Sequence, residues 1–314
     1  MHIKHLNETK LTDLALVGAK AAYLGELMHA GFAVPRGVCI TAQAYRDTLD
    51  AHGIQPKIVE RIKMTEIEDP VELEDCAEDI RDWIEQVPMP VNFVQEIQSA
   101  TEAMKSETGL FAVRCSRVIE DVPNTAASGL QQAFLAVKSN AIIDCVRKCW
   151  SSPWNSRAIY YRNRKKIDQT SVTMAVVLQP MLNPDTSGVM FTANSLTGAA
   201  DEIHVDATWG VGEAVIAARW KPDHFIVQKK LLAIRERMIA SKAVMDMPSA
   251  DGGLQTVSVA TEKQNAACIG DEQIVALAKL GEQIEAQLKS AQDVEWCVSD
   301  GKIWLLQTRP LQKK

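Results

Sequence analysis

The sequence predicts an α+β fold, and three observations carry that expectation. Helical and strand-like patterns alternate along all 314 residues, without internal repeats or low-complexity stretches. The first hundred residues are helix-rich, whereas β-branched apolar runs recur from Leu110 onward. With 46% hydrophobic and 24% charged residues, the chain can bury a substantial core, and its length of about two ordinary domains predicts two lobes.

The elements follow in order. Ala22, Leu24, Leu27 and Met28 recur at helical spacing over 19–30, after a Val17-Gly18-Ala19-Lys20 turn, and Gly31 is placed to end the helix. Val38–Ile40 reads as a strand, and Thr41 as the N-cap of the next helix. Residues 56–106 read as largely helical, with a break at Val87-Pro88-Met89-Pro90. Strands are expected at 111–113, 172–178, 188–192, 203–207 and 225–227, with helices at 139–150 and 154–166 between the first two. The second of these helices carries Arg157, Arg162, Arg164, Lys165 and Lys166, a pattern expected of a solvated face. A long helix over 271–289 precedes two closing strands around a Ser299-Asp300-Gly301-Lys302 turn.

Charge and cysteine usage narrow the function. Against 40 Asp+Glu there are 34 Lys+Arg, a net charge of -6, which disfavours a dedicated nucleic-acid binder. A polyanionic ligand would have to be held by a few placed cations. No run reaches the ~18 to 20 apolar residues that span a bilayer, and the start has no signal-peptide core, so a cytoplasmic protein without a membrane partner is expected. Seven cysteines without a CxxC pair argue against a disulfide framework or a zinc site, and Cys145 and Cys149 fit helix packing.

The chemical signals are scattered. Lys20, between a small-residue turn and a helix start, suits a phosphate contact or an ordinary surface position, and no Walker A loop is present. Arg114 ends a strand ahead of a loop of small and acidic residues, where it suits a bidentate phosphate contact or a pairing with Glu120 or Asp121. Val176 to Met181 offers an apolar strand ending in one amide, which suits an adenine base. On the closing hairpin, a three-residue loop would set Glu295 opposite Gln307, two hard oxygen ligands for Mg²⁺. An Asp-Gly two-residue turn would set Glu295 opposite Leu306 instead and spoil the pair.

These residues also carry a resemblance. Val17 to Leu27 followed by Val34-Pro35-Arg36-Gly37, then Ala112-Val113-Arg114-Cys115-Ser116, Glu120-Asp121 and Ser128-Gly129, resemble the nucleotide-binding domain shared by phosphoenolpyruvate synthase, pyruvate phosphate dikinase and rifampicin phosphotransferase. Gln179-Pro180-Met181, Gly188 to Thr192, Trp209 to Glu213, Pro222-Asp223, Gln292 to Trp296 and Leu306 to Pro310 follow in the family's order. The resemblance implies an ATP-grasp-like fold with an N-terminal lobe over 1–185, a C-terminal lobe over 186–314 and the nucleotide cleft between them. It implies that Lys20, Arg114 and Arg309 serve catalysis on the phosphates, that Gly129 and Arg117 lie in the phosphate loop, and that Gln179 and Met181 lie along the adenine. Glu295 and Gln307 would hold Mg²⁺, with Asp293 close by.

In such enzymes ATP is consumed to AMP and phosphate as a histidine on a separate domain is phosphorylated. The six histidines, His2, His5, His29, His52, His204 and His224, do not resemble the family's phosphoacceptor motif. The expectation is therefore an ATP-dependent dikinase-type phosphotransferase component, inactive without a histidine-bearing partner subunit, in the manner of phosphoenolpyruvate synthase-like or two-component phenylphosphate synthase-like systems. Cys115, Arg117, Ala127 and Ala133 depart from the family pattern. Arg117 could compensate for a hydroxyl missing at Ala133, or occupy the γ-phosphate position and leave a catalytically degenerate nucleotide-binding regulatory module.

Overall fold

The computed structural model describes residues 1–104, 106–118, 133–216 and 219–311; Glu120, Asp121, Ala127, Ser128 and Gly129, singled out above, lie outside them. Mixed helix and sheet is what these residues form, in two compact units. One unit comprises residues 1–25 and 36–181, the other residues 26–35 and 182–314. The excursion 26–35 was not part of the sequence-based division at 185/186.

In the first unit five antiparallel strands, β1 (Ile3–His5), β2 (Val38–Ile40), β3 (Leu110–Arg117), β4 (Ala133–Lys138) and β5 (Met174–Pro180), run in the order β1-β2-β5-β3-β4. Helix α1 (Leu14–His29) carries a non-helical residue at Gly18, where the sequence reads as a turn. Thr41 Oγ1 accepts from Ala44 N and so caps α2 (Ala42–Ala51), and α3 (Ile54–Lys63) follows. Asp69 caps α4 (Pro70–Glu85), with Pro70 in the first turn where its missing N–H costs nothing; the expected Pro-bearing break separates it from α5 (Val91–Met104).

The helices α6 (Ile142–Ser151) and α7 (Ser156–Arg164) complete the unit. Strand alternation turns Phe111, Val113, Cys115, Val176 and Leu178 toward the helices, where they join Tyr45, Phe93, Trp150 and Trp154 in one buried cluster. Trp154 Nε1 donates to Tyr45 Oη at 3.0 Å, so the polar ends of both rings are satisfied inside the core. Arg162 corrects the expectation of a solvated face. It is buried, donates to Gln169 Oε1 and Pro153 O and lies over the Trp154 ring, and burial pushes its pKa down to about 10.

The second unit is built on six antiparallel strands: β6 (Thr186–Phe191), β7 (Glu202–Trp209), β8 (Asp223–Gln228), β9 (Ala233–Met238), β12 (Gln292–Ser299) and β13 (Lys302–Pro310), in the order β13-β12-β6-β7-β8-β9. A hairpin, β10 (Val244–Pro248) with β11 (Leu254–Ser258), meets the chain at Gly210 opposite Asp246. The helical turn α8 (Glu213–Ile216) and the long α9 (Asp271–Leu288) complete it. Helix α9 buries Ile274, Leu277, Ala278 and Ile284, and the sheet buries Val205, Val227, Val294 and Trp296, so the intervening residues of β7, β8 and β12 form a second, more polar face.

Candidate nucleotide-binding site

In the first unit the residues of interest lie on the sheet face away from the buried helix cluster. Arg114 and Ser116 alternate with Val113 and Cys115, and Gln179 alternates with Leu178, which puts Arg114, Ser116 and Gln179 together. Ser116 Oγ donates to Val17 O at 2.7 Å and accepts from Ala21 N at 3.1 Å. Cys39 Sγ also donates to Val17 O, at 3.5 Å. Gly18, at φ 72°, makes this contact possible, because a Cβ there would fall 2.2 Å from Ser116 O. The turn that starts the helical run and carries Lys20 is thereby fixed to β3, beside Arg114 in sequence. Arg114 Nη2 donates to Gln179 Oε1 at 2.6 Å, and both side chains are buried.

The departures from the family pattern separate on this strand. Cys115 faces the helices, with Sγ 3.5 Å from Ser152 Oγ, and Arg117 shares its face by alternation rather than that of Arg114. Ala133 is the register partner of Arg114, so the side chain without a hydroxyl is the one beside the guanidinium. Compensation of Ala133 by Arg117, one of the two alternatives the sequence leaves open, would have to reach round the end of the sheet. Met181 is tied into the sheet, its N–H donating to Leu110 O at 2.9 Å and its carbonyl accepting from Thr108 Oγ1 at 3.4 Å. The Met181 N–H is thus engaged by the sheet itself.

In the second unit Glu295 stands directly opposite Gln307. The turn is nevertheless the two-residue Asp300-Gly301 kind, with both residues at positive φ, 52° and 70°, as a type I′ turn requires. The pair survives because β13 bulges: Trp296 pairs with Leu305, Glu295 pairs with Gln307, and Leu306 is the extra residue. The expectation that this turn would spoil the pair is corrected by that bulge. On the same face Asp293 is opposite Arg309, whose Nε and Nη2 lie 2.8 and 2.7 Å from Asp293 Oδ2. Burial pushes the Asp293 carboxyl pKa upward, opposed by Arg309 and reinforced by Glu295.

The donor set fits a hard cation. Gln307 Oε1 is buried and has no hydrogen-bond partner among the described residues, and it lies across from a carboxylate. Among the described residues no group of three or more His, Cys, Asp or Glu side chains is arranged to hold a metal. One carboxylate and one amide are therefore a partial set of the kind Mg²⁺ completes with phosphate oxygens and water.

Sequence reasoning missed which partners two further motif residues take. Ser116 was visible only as part of a motif, and Asp223 likewise. Asp223 accepts from Ala240 N and Cys268 N, both at 2.9 Å, and pairs with Lys242 in the core of the second unit.

A chain of mixed helix and sheet with a buried arginine–glutamine pair on one sheet and a carboxylate–amide pair on another is the class the structure defines. A family model described as the pyruvate phosphate dikinase AMP/ATP-binding domain matches residues 14–314, and the chain belongs to that family. A probable phosphoenolpyruvate synthase of Pyrococcus horikoshii is 35% identical, over 98% of this chain and 43% of its own length. One from Archaeoglobus fulgidus is 36% identical, over 99% of this chain and 42% of its own. A rifampicin phosphotransferase of Bacillus subtilis is 32% identical, over 98% of this chain and 35% of its own. The chain thus spans less than half the length of these relatives. Among solved structures, D-alanyl-alanine synthetase A of Vibrio cholerae aligns over 76% of this chain and 55% of its own at 10% identity; its TM-score of 0.29 carries no argument. Among the described residues no helix is long and apolar enough to cross a membrane.

Proposed function

We propose that this chain, with an ATP-grasp-like arrangement, is the ATP-binding component of a split dikinase-type phosphotransferase. It uses ATP, converted with water to AMP and phosphate, to phosphorylate a histidine of a separate histidine-bearing subunit. The observation that carries the reading is the Glu295–Gln307 pair, with its unpartnered buried oxygen, in a chain of an ATP-binding family. Lys20, Arg114 and Arg309 contact the phosphates, and Glu295 with Gln307 hold Mg²⁺. When bound, the cation neutralises phosphate charge as the phosphoryl group moves. Arg114 and Lys20 offset the same charge with placed donors, and Asp293 holds the Arg309 guanidinium in one orientation.

A second reading, a catalytically degenerate nucleotide-binding regulatory module, is favoured by the methyl group of Ala133 beside Arg114. Calorimetry of ATP with and without Mg²⁺ tests the shared part. Wild type is expected to bind Mg-ATP more tightly than ATP alone, and Glu295→Ala to lose that difference with an unchanged Tm. AMP formation with the histidine-bearing partner, and acid-labile label on that partner, decides between the two readings. A wild-type protein that binds no ATP would sink both.

A further inference from the structure

Gln179 and Arg114 are joined more closely than a base contact and a phosphate contact need to be. Gln179 pairs with Ala112 and Arg114 with Val177, so the two side chains meet diagonally across adjacent strands. Both are almost wholly buried, 3% and 6% exposed, and Gln179 Oε1 lies 2.6 Å from Arg114 Nη2. A guanidinium has only donors, so the Gln179 amide must turn its oxygen to Arg114 and its nitrogen away. The stem of Gln179 runs over Gly37, where a Cβ would fall 2.6 Å from Gln179 Cγ and 2.7 Å from Leu178 O. A side chain at position 37 would displace the stem, and the amide oxygen with it.

From this geometry we infer that Gln179 is a positioning residue for Arg114, acting on the phosphate end of the nucleotide through the guanidinium, with Gly37 leaving room for its stem. The inference rests on the proposal that the chain binds ATP. The alternative is that Gln179 reads the base directly. The two differ in where a loss is felt: a hydrogen bond to a charged group that preorders Arg114 affects polyphosphate binding and leaves adenosine alone.

The test compares Mg-ATP, Mg-tripolyphosphate and adenosine by calorimetry on the full chain. Gln179→Met, which keeps the stem and loses the acceptor, should weaken Mg-ATP and Mg-tripolyphosphate about tenfold. Adenosine affinity should stay within about twofold, which is under half a kcal/mol. In an Arg114→Met background the same change should add nothing. Gln179→Glu retains an acceptor for Arg114 but has no amide N–H, and should leave the ratio of ATP to GTP affinity at its wild-type value; it decides the matter if Gln179→Met does not fold. Equal weakening of adenosine, no weakening of any ligand, a further loss in the Arg114→Met background, or a changed ATP-to-GTP affinity ratio in Gln179→Glu would each overturn the inference. Failure of the wild type to bind ATP would instead remove the reading beneath it.

Discussion

Lys242 and Asp223 form an ion pair from which water is almost entirely excluded, their side chains being 2% and 0% exposed. Asp223 has both oxygens occupied: Lys242 and Ala240 N meet one, and Cys268 N and Sγ the other. Such a pair is weak evidence of net stability, yet its half-removal is costly because an ammonium is left dry and unpaired. Asp223→Ala should destabilise the protein by about 3–5 kcal/mol in denaturant unfolding, and pairing Asp223→Leu with Lys242→Met should recover most of that loss. A single-variant cost under about 1 kcal/mol would mean that Lys242 finds water.

The two faces of β3 make separable contributions. Cys115 belongs to the apolar cluster, where Ser152 Oγ and Cys149 O lie near its sulfur, so Cys115→Ser should leave Mg-ATP affinity within about twofold and shift stability by about 1 kcal/mol at most. Ala133 pairs with Arg114, so Ala133→Thr places a hydroxyl beside the guanidinium and should tighten Mg-ATP by about two- to tenfold. Calorimetry alongside unfolding curves checks both. An affinity change in Cys115→Ser larger than that in Ala133→Thr would reverse the assignment of the faces.

His224 should make stability fall as pH rises through neutrality. Its Nδ1 lies 2.6 Å from Asp206 Oδ1, which raises its pKa above 6.5; Glu236 adds to the shift, burial opposes it, and the His204 ring faces it at 5.3 Å. Because the folded value exceeds the unfolded one, the stabilisation is fully present below the unfolded pKa and is lost as pH climbs through the folded pKa. The contribution of this partly exposed pair is about 1 kcal/mol at most. In histidine NMR titrations the His224 midpoint should fall in Asp206→Asn, and His224→Gln should flatten the pH dependence of unfolding. A midpoint that ignores the Asp206 change would refute the coupling.

What the sequence revealed, and what it hid, follows from how far apart the determinants lie. Periodic helices such as α6 and α9, and buried strands such as β5, were legible because their side-chain pattern is local. Strand β9 was not, since five of its six residues are exposed and Arg235, Glu236 and Arg237 offer no apolar alternation. Strand β1 has a single apolar residue, Ile3, whereas the equally short β2 is apolar throughout and was legible. Lys20, Arg114, Glu295 and Gln307 could be singled out by type and spacing, but the long-range partners of the motif residues could not. Ser116 reaches back to Val17, Asp223 forward to Lys242 and Cys268, and Gln179 to Arg114, and such partnerships exist only once the sheets have formed.

The bulge at Leu306 makes the closing hairpin a sum of two lengths. A three-residue loop on a regular ladder and a two-residue loop with one bulged residue deliver the same facing residue at Glu295, and this chain uses the second combination. At this chain length, losing the bulge while keeping the two-residue turn would put Leu306 opposite Glu295 and turn the later side chains of β13 to the opposite face, whereas passing that residue into the loop would restore the pair. The loop and bulge residues taken together, not the identity of the turn, therefore set which residue faces Glu295. Two homologues could differ in both loop and bulge, look misaligned by one residue between them, and still present the same two oxygens.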